Sequence, residues 1–362
     1  MSVPQPPQNM PPQYPVPPYR PPYPSQPQPQ PQPQPGRPSA REARRIMRRA
    51  VNRPAGMVLL YVVIMQVVAE LGQQIVRTAA LRSGNDTMIG SGPNAVSQAV
   101  LQATGMLSLI GVAAGMLFLL PANRRMTFRR GFWIGDHGEA KRMRAPWLLD
   151  FTVLLVSAQA VLLLARMLFG AMGINLTSPA MESLNAAATN WPMWLYIGLA
   201  APVCEEIAFR GVLMRSLAPY GRNFAIVTSA FMFGLFHGDP VQGTFAFLMG
   251  LLLGFVAMEY SLVWAIALHV FNNAVLGGVL AQWATAYGNA GTTVYVAFLL
   301  GVGVIGGIVV FARHGRELAA YARANRSPHG TYWGWTAVWF LMFAALHMLT
   351  IVMMLNMIAA AQ

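Results

Sequence analysis

Cysteine is almost missing from this chain of 362 residues, Cys204 being the only one. That excludes an internal disulfide framework and leaves no cysteine-ligated metal cluster. Charge is scarce too: 10% of the residues are charged and 55% hydrophobic, with a mean hydropathy of +0.44. Soluble domains carry about a quarter of charged residues. The expected class is therefore all-α, a polytopic integral membrane helical bundle. Acidic residues are the rarest charged type, 12 against 25 basic, for a net charge of +13. Such an excess could signal nucleic acid, but the basic residues cluster beside apolar segments, and no nucleic-acid partner is expected. The bilayer is the partner that this pattern suits.

No apolar core follows Met1, so no signal peptide is expected. Residues 1 to about 36 are Pro and Gln with scattered Tyr, and have almost nothing to bury. A disordered tail of polyproline character is expected. Seven arginines between Arg37 and Arg53 then abut the first apolar stretch, which completes a tail region of residues 1–55.

Apolar stretches long enough to span begin near Met57, Val96, Trp147, Pro192, Asn223, Val241, Val263, Thr293 and Trp333. This gives eight to nine transmembrane helices. With the N-terminus inside, the connections at 122–146, 211–222 and 313–332 hold the basic clusters, whereas 173–191 and 282–292 contain no Lys or Arg. That asymmetry places the N-terminus in the cytoplasm, and a bacterial inner membrane is the expected location. The stretch that ends at His237-Gly238-Asp239-Pro240 is short and stops at a turn signal, so a half-length or re-entrant helix fits there.

Against this background Glu205 and Glu206, followed by Arg210, stand inside a stretch that otherwise reads as a membrane span. Ionisable groups at that depth are costly unless paired or wetted, which makes them functional candidates. On a helix Glu206 and Arg210 share a face in the favourable order, acid before base. Glu205 points about 100° away and has no local counter-ion, which leaves it available as a base towards water. Phe233 and His237 share one helical face, and His269 and Asn273 repeat the four-residue spacing on another. Two imidazoles, a carboxylate and an amide around one point can bind a divalent metal such as zinc, with Glu205, His237 and His269 as ligands. Equally, they can activate water directly and stabilise a tetrahedral intermediate, with Asn273 as a donor to the oxyanion.

The ordered set E-E-x-x-x-R at Glu205 to Arg210, F-x-x-x-H at Phe233 to His237 and H-x-x-x-N at His269 to Asn273 resembles the CAAX prenyl endopeptidase family and its bacterial CPBP intramembrane protease relatives. The resemblance spans residues 147–282 and makes this region the expected catalytic core. Residues 56–146, with their basic loop, and the C-terminal helices of 283–362 flank it. It implies an all-helical membrane protease whose active site opens into a cavity within the bilayer. It also implies Glu205 as the acid that activates water, Glu206 and Arg210 as its supporting pair, and His237, His269 and Asn273 as the remaining catalytic or metal-facing groups. The expected substrate is a membrane-associated protein or peptide, lipidated ones included.

Two other classes fit the same residues: a proton-coupled secondary transporter, and a non-catalytic immunity or scaffold protein that binds peptides in a protease-like cavity. No second copy of the acidic motif supports a transporter built from repeats. Cys204 reads as packing rather than as a nucleophile. His347 reads as packed or lipid-facing, and Glu259 as a solvated position at a helix end. Glu70 and Asp150 have no motif partner. The oligomeric state has no signal in the sequence.

Overall fold

Seven helices of the computed structural model are long and apolar enough to cross a membrane, and no strand occurs among the described residues. The structure describes residues 39–86, 93–135, 140–173, 176, 178, 188 and 190–360. The Pro/Gln-rich tail and most of the connection at 173–191 lie outside the described residues. The protein is an all-α polytopic membrane protein.

Helix α1 (Ala40–Asp86) carries the arginine run straight into the first apolar stretch, and Pro54 does not interrupt it. It is followed by α2 (Pro93–Ala122), two short helices α3 (Arg124–Thr127) and α4 (Arg130–Ile134), and α5 (Ala145–Ala171). Residues 191–217, called α6 here, are helical throughout but change winding, with π-helical turns at Tyr196–Ala200 and Glu206–Met214. Then come α7 (Arg222–Phe236), α8 (Pro240–Glu259), α9 (Leu262–Ala286), α10 (Gly288–Ala324) and α11 (Val338–Ala360). All nine expected stretches are thus helices. Two of them, α6 and α7, fall outside the seven: α6 is interrupted and charged, and α7 has only 15 residues. The turn signal at Gly238 explains the second, since its φ of 61° is a conformation that favours glycine.

Small residues let the backbones close together, as membrane helices require in the absence of a hydrophobic drive between them. Gly234 of α7 and Gly243 of α8 face each other so tightly that a Cβ on either would lie 2.9 or 2.7 Å from the opposite carbonyl oxygen. Gly111 and Gly115 do the same for α2 against α1, where they meet Met65 and Tyr61. At the other end of α8, Glu259 is a buried anchor, not the solvated helix end expected from its position. Its carboxylate accepts from Lys141 Nζ at 3.0 Å, Arg222 Nη1 at 2.6 Å and Tyr321 OH at 2.8 Å, so it ties α8 to α7, α10 and the segment that leads into α5. Sequence position alone concealed these partners because they come from three distant segments. Asp150 also has a neighbour, His314 Nε2 at 3.4 Å from α10.

Candidate active site

The π-turn at Glu206–Met214 is the first determinant of the site. A π-turn winds more loosely than an α-helix and leaves carbonyls less well paired; such turns concentrate at functional sites. Ser229 of α7 donates to the Phe209 carbonyl at 2.9 Å and so satisfies one of them. All nine residues of this turn are buried, Glu206 and Arg210 among them. Their pairing follows the expected four-residue spacing, with Arg210 Nη1 donating to Glu206 Oε1 at 2.6 Å.

Glu205 is the more accessible carboxylate, its side chain 12% exposed against 0% for Glu206. The sequence shows no counter-ion for it, but α9 supplies a neighbour. His269 Nδ1 lies 2.9 Å from Glu206 Oε1, and its Nε2 lies 3.8 Å from Glu205 Oε2. One imidazole therefore spans the two acids, with the Glu206 contact fixing its ring plane.

The Phe233 ring holds the rest together. Arg210 Cζ lies 4.2 Å from its centroid, a buried cation–π contact. The rings of His237 and His269 both meet it edge-on, at 4.8 and 5.8 Å between centroids. The two histidines thus share one aromatic neighbour, His237 from the C-cap of the short α7 and His269 from α9. His237 Nδ1 lies 2.8 Å from the Phe233 carbonyl, so Nε2 is its free ring nitrogen. His237 lies within electrostatic reach of Glu205, His269 and Arg210.

Asn273 is placed differently from its expected role. Its Nδ2 donates to the Ile197 carbonyl at 3.2 Å, and its Oδ1 accepts from Asn272 Nδ2 at 3.0 Å. Asn272 Oδ1 accepts in turn from Gln159 Nε2 at 2.9 Å, and Tyr295 OH donates to Gln159 Oε1 at 3.3 Å. This relay joins α10, α5, α9 and α6. One N–H of Asn273 is therefore spent on helix-to-helix bonding. Asn272, Gln159 and Tyr295 carry no motif signal, and only the fold reveals them. His347 of α11 is packed, not lipid-facing, with Nδ1 2.8 Å from the Phe343 carbonyl.

The fit to a metal can be judged from these contacts. Among the described residues no three His, Cys, Asp or Glu side chains converge as a metal ion requires. Glu205 and His269 face each other, but His237 does not complete a set with them. The arrangement does hold an accessible carboxylate, a buried acid–base pair and two imidazoles within one wall.

Residues 187–275, about a quarter of the chain, match the family model described as Type II CAAX prenyl endopeptidase Rce1-like. The matched stretch contains Glu205, Glu206, Arg210, Phe233, His237, His269 and Asn273, and supports the CAAX protease family. No curated protein and no solved structure matches the chain.

Proposed function

We propose that the chain is an intramembrane endopeptidase in which Glu205 activates water for attack on a peptide carbonyl. The observation that carries this reading is the division of labour between the adjacent acids. Glu206 is fully buried and held by Arg210 and His269, whereas Glu205 is partly accessible and meets only an imidazole at 3.8 Å. A carboxylate left without a strong donor, beside a rigid neighbour, suits a general base.

In this mechanism Glu205 takes a proton from water as the water oxygen bonds to the carbonyl carbon. The tetrahedral intermediate then collapses, the C–N bond breaks, and the proton passes from Glu205 to the leaving amine. Glu206 and Arg210 hold His269, and His269 orients Glu205. His237 and the remaining N–H of Asn273 face the reacting carbonyl. A divalent metal such as zinc is the other expectation for Glu205, His237 and His269. Among the described residues the contacts of these three do not supply a three-ligand set.

The substrate class is a membrane-associated protein or peptide, lipidated ones included, that enters from the bilayer or its cytoplasmic face. The basic connections at 122–146, 211–222 and 313–332 support a cytoplasmic N-terminus, and a bacterial inner membrane is the location that goes with this reading. The test is cleavage of a peptide library by purified protein, wild type against Glu205→Ala, with metal content measured on both. Full turnover by the variant, inserted and folded, overturns the assignment.

A further inference from the structure

The three basic connections meet at one end of the bundle. Glu259 gathers Lys141 from 122–146, Arg222 from 211–222 and Tyr321 from 313–332 around a single carboxylate, which sets those connections at one level. Beside this anchor a groove of about 470 Å³ opens between the segment that leads into α5 and the turn from α8 to α9. Its two sides are tied by backbone as well, since the Lys141 N–H donates to the Glu259 carbonyl at 2.8 Å. Lys141 and Arg142 bring two cations to the groove, and Tyr260 and Trp264 bring two aromatic rings. Ile134 and Val263 complete the lining and are 40% and 45% exposed.

The charge of this groove is positive. Glu259 is already served by two cations and a phenol, the Lys141 ammonium has donors to spare, and Arg142 is exposed with no acidic partner among the described residues. From Arg124 to Arg144 the sequence holds seven basic residues against two acids, Asp136 and Glu139, both outside the described residues. Basic pockets between helices near the membrane surface suit anionic headgroups, and Trp and Tyr settle at the same level. A soluble anion would have no use for the exposed apolar side chains, whereas a lipid has chains to lay on them. We infer that this groove binds an anionic phospholipid, its phosphate on Lys141 and Arg142 and its acyl chains along Ile134, Val263 and Trp264. The site lies apart from Glu205 and does not depend on the endopeptidase reading.

The test titrates purified full-length protein in neutral detergent with dioleoylphosphatidylglycerol, dioleoylphosphatidylcholine or inorganic phosphate, and follows the unfolding temperature and the lipid retained in native mass spectrometry. Phosphatidylglycerol should raise the unfolding temperature and stay bound, and the other two should do neither. Arg142→Gln should weaken phosphatidylglycerol binding about fivefold. Val263→Asp puts an acid into the groove at the first turn of α9, where it suits the helix, and should weaken binding at least as much with the lipid-free unfolding temperature unchanged. Arg124→Gln with Arg125→Gln removes more charge from the same connection but none from the groove, and should change binding by less than about twofold. Wild-type affinity in both Arg142→Gln and Val263→Asp overturns the site. An equal loss in the Arg124 and Arg125 pair overturns it in favour of diffuse attraction, equal binding of phosphatidylcholine removes the role of charge, and a shift reproduced by inorganic phosphate makes it a site for a soluble anion.

Discussion

Two carboxylates in this protein are each held by an arginine at 2.6 Å, Glu206 by Arg210 and Glu259 by Arg222, and they serve different ends. Glu259 sits at the end of α8 with its cations reaching into solvent: Lys141 is 57% exposed and Arg222 45%. Its oxygens are fully served by three donors, so nothing is left to react. Glu206 and Arg210 are both completely buried, yet Glu206 Oε2 and Arg210 Nε and Nη2 have no partner. A purely structural ion pair at that depth would be expected to satisfy its polar atoms, since each one left over is costly. The first cluster fastens helices at a wet boundary. The second holds a histidine and the adjacent Glu205 in place at a stability cost.

The sharpest way to break this contrast is Glu205→Ala. If Glu205 is the base, cleavage falls by about 10²- to 10⁴-fold or below detection. The folded state, followed by thermal unfolding in detergent, should barely change, because Glu205 has no close donor to lose. A fall in unfolding temperature like that of an Arg210 variant would mean that Glu205 belongs to the structural network instead.

Arg210→Ala should do the reverse. It strands Glu206 as an uncompensated buried charge, which costs about 3–5 kcal/mol and lowers the yield of folded protein. Arg210→Met combined with Glu206→Leu removes both charges and should recover most of that stability without recovering cleavage. Recovery of cleavage by the double variant would show that neither residue supports His269.

Chelation bears on the alternative chemistry of the same wall. With Glu205 acting directly on water, cleavage persists after treatment with a tight zinc chelator, and purified active protein carries less than stoichiometric metal. Loss of activity on chelation, restored by added zinc, would mean that Glu205, His237 and His269 close around an ion in a conformation other than this one.

How far the sequence reads the molecule differs between the two clusters for a physical reason. Glu206 and Arg210 lie four residues apart, and local helical periodicity was enough to pair them even though the turn winds as a π-helix. His237 and His269 were legible as candidates because imidazoles are rare in apolar stretches, and the short α7 was legible from Gly238 and Pro240. The partners of Glu259 come from Lys141, Arg222 and Tyr321, separations that no local pattern encodes. Asn273 shows the converse. Its spacing from His269 marked it for the site, but the relay through Asn272 and Gln159 takes part of its hydrogen-bonding capacity for helix packing.

The smallest expected effect tests the other half of the comparison. Glu259→Gln keeps the shape of the side chain and removes the charge that Lys141 and Arg222 address. Because both cations remain solvated, the cost is modest, about 1–2 kcal/mol rather than the penalty of a stranded buried charge. Part of that difference from wild type should shrink as salt rises, because the exposed ends of the pairs are screened, whereas the Arg210 effect should hardly respond. Cleavage per folded molecule should stay at the wild-type level, since no site residue touches Glu259. If Glu259→Gln instead lowers kcat without lowering stability, the Glu259 anchor communicates with the site through α8. The division between a fastening cluster and a reacting one would then have to be redrawn along that helix.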